Sequence, residues 1–175
     1  MRKIIWLVGI LASILITASL IIGSAQAQTL DQTVADIKEM MTKYSTLESG
    51  DRISVSINSG TDVEIRIEKF KDGNKWHTVT QSFDIRDIAF ADVRVQTYDE
   101  NEIVLLHLTC GGSSLISDCV TEAHDDINPQ LNYTEGVSWA ENWFPSSALT
   151  YANEIKDAFI QLGQLNGVTI KEQPY

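Results

Sequence analysis

From Thr29 onward the chain keeps a helical rhythm. Leu30, Val34, Ile37, Met41, Tyr44 and Leu47 recur at intervals of three and four residues and form one apolar stripe. Thr29 is placed to cap this helix, with Gln32 three residues on in the capping-box arrangement. Asp31 and Asp36 suit its positive N-terminal end, and Gly50 marks its stop. The spacing predicts a helix within residues 28–50. The period then falls to two. In RISVSIN, Ile53, Val55 and Ile57 share a face; in DVEIRIEKF, Val63, Ile65 and Ile67 do, with Lys69 continuing the series. KWHTVTQSF sets Trp76, Thr78, Thr80 and Ser82 against His77, Val79, Gln81 and Phe83. The turns between them are NSGT and KDGN, and Asp72-Gly73 is a strong hairpin signal.

DIRDIAFA is less regular, DVRVQTY alternates again, and DEN turns the chain into EIVLLHLTC. That last run is nearly all apolar, which predicts a strand covered on both faces or covered by a helix. GGSSLISD is turn-forming, and CVTEA resumes an extended pattern, so residues 51–124 read as a sheet region. Residues 125–146 show no sustained period and read as a long connection rich in aromatic residues. A closing helix follows over 147–165, capped by Ser146 or Ser147. Its stripe is Ala148, Ala152, Ile155, Phe159 and Leu162, bordered by Leu149 and Ala158, with Gly163 or Gly167 as terminator. The tail, VTIKEQPY, reads as loose. The fold class expected is α+β: an antiparallel β-sandwich or bent barrel of about six or seven strands, packed by a C-terminal amphipathic helix and carrying an extra N-terminal helix.

This order of elements resembles the pleckstrin-homology-like superfold over residues 52–165, by pattern and without a sequence motif. The N-terminal helix and the long connection depart from that pattern. A cystatin-like or NTF2-like sheet, each with a helix near its start, is the alternative. Phosphoinositide-binding members of the pleckstrin-homology class resemble one another in a basic loop between the first two strands. The corresponding NSGTD has no Lys or Arg, so the resemblance does not carry lipid binding over.

The first 27 residues change the setting. Arg2 and Lys3 precede an uncharged run from Ile4 to Gly23, and Ala25-Gln26-Ala27 offers small residues to a signal peptidase. The expectation is a secretory signal peptide cleaved after Ala27 and a secreted or periplasmic domain of residues 28–175. An uncleaved membrane anchor is the alternative. No cysteine follows the run, which argues against a lipoprotein. Residues 28–175 carry 11 basic and 24 acidic side chains, a net charge of −13. Such a surface does not neutralise phosphates, so nucleic acid and anionic membranes are not expected partners.

Export puts Cys110 and Cys119 in an oxidising compartment, where paired thiols become disulfides. Their spacing is not the C-x-x-C of a thioredoxin-like site. A zinc site would have to recruit His107 and His124, and His107 lies an odd number of strand positions from Cys110, on the opposite face. The pair is therefore expected to staple facing positions of a hairpin between EIVLLHLTC and CVTEA.

Chemistry is otherwise sparse. Ser113 and Ser114 lie in a Gly-rich turn outside any G-x-S-x-G context. His77 and His107 fall in strands. His124-Asp125-Asp126 lacks the ligand spacing of a calcium loop. Asp84, Asp87 and Asp92 surround IRDIAFA and read as turn acids, although paired carboxylates could serve glycoside hydrolysis. No cofactor motif and no metal site is expected. The remaining candidate site is the aromatic set Tyr133, Trp139, Trp143 and Phe144. The expected function is an exported, non-catalytic binding module whose partner is a protein or a small molecule. The alternatives are a small secreted hydrolase using Asp84, Asp87 or His124, and a structural assembly subunit.

Overall fold

A computed structural model of the chain describes residues 28–44, 50–98, 100–111 and 118–173. The expected signal peptide, Leu47, Ser113 and Ser114 lie outside the described residues. The elements, in order, are α1 (Leu30–Tyr44), β1 (Arg52–Asn58), β2 (Asp62–Lys71), β3 (Asn74–Asp84), a 3-10 turn (Ile85–Asp87), β4 (Ile88–Tyr98) and β5 (Asn101–Cys110). Then come β6 (Val120–Asp126), a 3-10 turn (Pro129–Leu131), β7 (Tyr133–Val137), β8 (Trp139–Pro145), a 3-10 turn (Ser146–Ala148), α2 (Leu149–Leu165) and β9 (Lys171–Glu172). The fold is a sandwich-like α+β arrangement of two open sheets and not a closed barrel. One sheet has the order β1-β2-β3-β6-β7, the other β8-β5-β4-β9.

The β1-β2-β3 meander follows the alternation and its turns. Asp72 and Gly73 both take positive φ, 52° and 78°, the backbone a two-residue hairpin loop requires. The helices close the core. Ile37 and Met41 of α1 are fully buried, as are Ile155, Phe159 and Leu162 of α2. α1 packs on α2 and β1, and α2 packs on β4, β5 and β8. β5 is covered on both faces, since Val104, Leu105 and Leu106 are all buried. Thr29 Oγ1 accepts the Gln32 N–H at 3.2 Å, the cap read from the sequence, but the Gln32 side chain donates to Asp36 Oδ1 at 2.7 Å and does not complete the capping box.

Four expectations are corrected. Residues 125–146 are not a loop: they hold the end of β6, then β7 and β8. β8 alternates fully, with Ala140, Asn142 and Phe144 buried and Trp139, Glu141 and Trp143 on the other face. A buried Asn among the inward residues and two Trp among the outward ones disguised that period.

The cysteines form the expected disulfide but do not staple a hairpin. β5 gives one edge to β4 and the other to β8, while β6 pairs with β3 and β7. Cys110 ends β5 in one sheet and Cys119 leads into β6 in the other, so the bond ties the two sheets together.

α2 begins at Leu149 after a 3-10 turn, and neither Ser146 nor Ser147 caps it; Ala148 holds the cap position without a side-chain bond. Its end is a Schellman motif. Gly167, at φ 81°, follows Asn166, and the N–H groups of Gly167 and Val168 bond the carbonyls of Gln164 and Gly163. Finally, the tail is anchored. Ile170 is buried against α2, and Lys171 and Glu172 pair in parallel with Phe90 and Ala91 of β4.

Candidate functional site

The inward face of the five-stranded sheet changes character across its strands. Register partners point to the same side of a sheet. One row therefore runs Ile53, Ile67, Val79, His124, Tyr133, and the next runs Val55, Ile65, Gln81, Glu122, Glu135. A third row is Ile57, Val63, Phe83, all buried, and a fourth is Lys69, His77, Asp126. The β1–β2 corner is apolar and packs into the core. The β6–β7 corner carries two imidazoles and three carboxylates where a core would need apolar residues. Its period of two is regular: Glu122, His124 and Asp126 share one face of β6.

β8 lies against this face. Gln81 Nε2 donates to Glu122 Oε2 at 2.8 Å and reaches the Glu141 carbonyl at 3.5 Å, linking the two sheets. Between the sheets lies a cleft of about 330 Å³. Ile53, Ile67, Val79, Gln81, Glu122 and His124 line it from the first sheet, and Trp139, Glu141 and Trp143 from β8. Asp51 and Lys69 stand in the same lining. Trp143 Nε1 donates to Glu141 Oε1 at 2.7 Å, which fixes both side chains. Counting Asp51, Glu122 and Glu141 against Lys69, the lining is net negative. Each of these hydrogen-bonded glutamates uses a carboxylate oxygen to accept an N–H.

The imidazoles are tightly placed. His124 stacks on Tyr133, with ring centres 4.2 Å apart and planes 9° from parallel. Its Nε2 lies 2.7 Å from Glu122 Oε1 and 4.0 Å from Glu135 Oε1, and its Nδ1 lies 3.1 Å from His77 Nε2. His77 Nδ1 faces Asp126 Oδ2 at 3.6 Å, longer than a hydrogen bond. Burial lowers the His77 pKa below its usual value, with the charges of His124 and Lys69 adding to that and Asp126 opposing it.

Behind Trp139 is a second polar group. Its ring sits 6.2 Å from that of His107. His107 Nδ1 is 3.4 Å from Asp92 Oδ1, and Arg94 Nε donates to Asp92 Oδ2 at 2.6 Å. Burial lowers the His107 pKa, with Arg94 adding to the effect and Asp92 and Glu141 working against it.

Of the residues singled out by sequence, Trp139 and Trp143 line the cleft, Trp139 being 47% exposed. Tyr133 is 51% exposed and sits at the rim through its stack on His124. Phe144 is fully buried on the other face of β8 and belongs to the core. Cys110 and Cys119 are disulfide-bonded and outside the cleft lining. His124 is brought to the cleft, whereas Asp84 and Asp87 are not. Asp84 caps the 3-10 turn and pairs with Arg86, whose hydrogen bond lowers its pKa. Asp92 is buried with Arg94 and His107. Glu122, Glu135, Glu141 and Gln81 were not singled out. The recoverable signal was i, i+2 spacing, Glu122-x-His124 and Trp139-x-Glu141-x-Trp143; the pairing of β3 with β6 was not recoverable from local pattern. No protein-family model, curated protein or solved structure matches the chain.

Proposed function

We propose that this chain is an exported, non-catalytic binding module. Its ligand is a neutral or amino saccharide held in the cleft between the first sheet and β8. The observation that carries the reading is the pairing of two indoles with hydrogen-bonding carboxylates and an amide in one cleft of about 330 Å³. That size lies at the small end of ligand sites. An indole offers a flat apolar face to the C–H face of a sugar ring, while Gln81 and Glu141 can meet hydroxyls. The net negative lining disfavours anionic ligands and accepts an ammonium. Export is supported by the leader pattern and by the Cys110–Cys119 disulfide, a bond that persists in oxidising compartments. The pleckstrin-homology-like resemblance stays a proposal about the order of elements and supplies no ligand.

The test is intrinsic fluorescence titration with a panel of neutral and amino sugars. The expected result is a saturable change that Trp139→Ala weakens by at least about thirtyfold, the cost of losing a stacking anchor of roughly 2 kcal/mol. A flat response to every sugar, or unchanged affinity in Trp139→Ala, would refute the reading. A second reading, assembly, is favoured by Ile127, 76% exposed, and Leu131, 58% exposed, at the β6–β7 connection. Sedimentation equilibrium giving a dimer that Ile127→Asp dissociates would select it.

A further inference from the structure

Two imidazoles at the polar corner stand in series between carboxylates. The order is Asp126, His77, His124 and Glu122, and the close contacts are His77 Nε2 with His124 Nδ1 at 3.1 Å and His124 Nε2 with Glu122 Oε1 at 2.7 Å. A neutral imidazole has one N–H and one lone pair, so the chain can run in two directions. In one, His77 Nε2–H donates to His124 and His124 Nε2–H donates to Glu122. In the other, His124 Nδ1–H donates to His77, and the His124 Nε2 lone pair points at Glu122 Oε1, with Glu135 Oε1 4.0 Å away. The second direction is the one a cation at that end would select.

We propose that Glu122, His124 and Glu135 bind one divalent first-row transition-metal ion, zinc by preference. One imidazole and two carboxylates are a donor set for such an ion, and three protein ligands leave a fourth position open. Glu122 and Glu135 are register partners on β6 and β7, and His124 is two residues from Glu122 on the same face. Their donor atoms all lie within 4.8 Å of one another. Two donors about 2.1 Å from a tetrahedral ion stand about 3.4 Å apart. The His124–Glu122 and His124–Glu135 separations, 2.7 Å and 4.0 Å, bracket that value.

The surroundings hold the ligands as a metal site requires. With a metal on Nε2, His124 Nδ1–H would donate to His77 Nε2, 3.1 Å away, which turns the Nε2 lone pair toward the carboxylates, with Asp126 behind His77 in turn. Tyr133 fixes the imidazole plane by stacking, and Gln81 holds the other oxygen of Glu122. Glu122 and His124 also line the cleft, so the open coordination position would face a bound ligand. Metal binding does not depend on the saccharide reading.

The experiment is isothermal titration of the chelator-treated protein with Zn²⁺, with Co²⁺ absorption as the spectroscopic readout. One equivalent should bind saturably, raise the melting temperature with metal concentration, and give Co²⁺ visible bands. His124→Gln should abolish binding. Glu135→Gln, at a half-exposed position, should weaken it at least tenfold. His77→Gln, which removes the positioning partner, should weaken it by about ten- to a hundredfold. Trp139→Ala, which damages the saccharide site, should leave Zn²⁺ affinity unchanged. No saturable uptake, or uptake unaffected by Glu135→Gln and His124→Gln, overturns the proposal.

Discussion

The inward face of the five-stranded sheet has two corners built from the same alternating pattern. At the β1–β2 corner, alternate residues are Ile53, Ile57, Val63 and Ile65, and each is buried in the core. At the β6–β7 corner they are Glu122, His124, Tyr133 and Glu135, and the sheet's partner layer there is the edge strand β8. Both corners satisfy the geometry of a strand. They differ in what the inward side chains cost to bury, since a carboxylate or imidazole must be paired or left near water. The apolar corner builds the core, while the polar corner meets β8 at the cleft.

The sharpest way to break the comparison is to damage the core side. Phe159 is fully buried in the middle of α2. Phe159→Ala should cost roughly 3–5 kcal/mol in chemical denaturation, through lost burial and the cavity left behind. A cost below 1 kcal/mol would mean that α2 is not part of the load the sheets depend on. The disulfide comes next. It links β5 to the lead-in of β6, one strand from each sheet. Removing it with Cys110→Ser and Cys119→Ser together should lower stability by about 2.7 kcal/mol, the chain-entropy value for so short a loop. The double variant should keep its fold by circular dichroism. Collapse of the fold would show that the covalent link, and not the packed core, holds the sheets in place.

A smaller effect sharpens the comparison on the second sheet. His107 has a lowered pKa in the folded protein, from burial first and Arg94 second, against the opposing charges of Asp92 and Glu141. Between its folded value and the unfolded value of about 6.5, the unfolded chain binds the extra proton. Its contribution is therefore fully present above pH 6.5 and is lost as pH falls through the folded pKa. Melting temperature should decline as pH drops below about 6.5, before the carboxylates titrate. His107→Gln should flatten that slope. An unchanged slope would show that His107 is as easily protonated folded as unfolded.

The apolar corner was legible in the sequence because Ile, Val and Phe at alternate positions announce both the strand and its buried face. The helices were legible for the same reason, through Ile37 and Met41 and through Ile155, Phe159 and Leu162. β7 and β8 were not. Asn142 occupies an inward position of β8 and both of its side-chain polar atoms lack a hydrogen-bond partner, so the strand breaks the apolar rule where it is most buried. Tyr133, Glu135 and Val137 alternate on β7 with no apolar face to announce it. The site was half legible: Trp139 and Trp143 stood out as aromatic, but the polar groups that share their cleft arrive through pairings such as Gln81 with Glu122, 41 residues apart. Local pattern carries no information about that distance. The disulfide was legible as a bond and misread as a hairpin, because proximity in sequence was taken for proximity in one sheet.

The central claim is that the cleft between the first sheet and β8 is the binding site, and indole NMR tests it most directly. Trp139 and Trp143 line the cleft, whereas Trp76 sits away from it at the start of β3. On titration with the neutral and amino sugars, the indole N–H signals of Trp139 and Trp143 should shift saturably and together, and that of Trp76 should stay in place. Signals that do not move for any sugar, or a response confined to Trp76, would contradict the account.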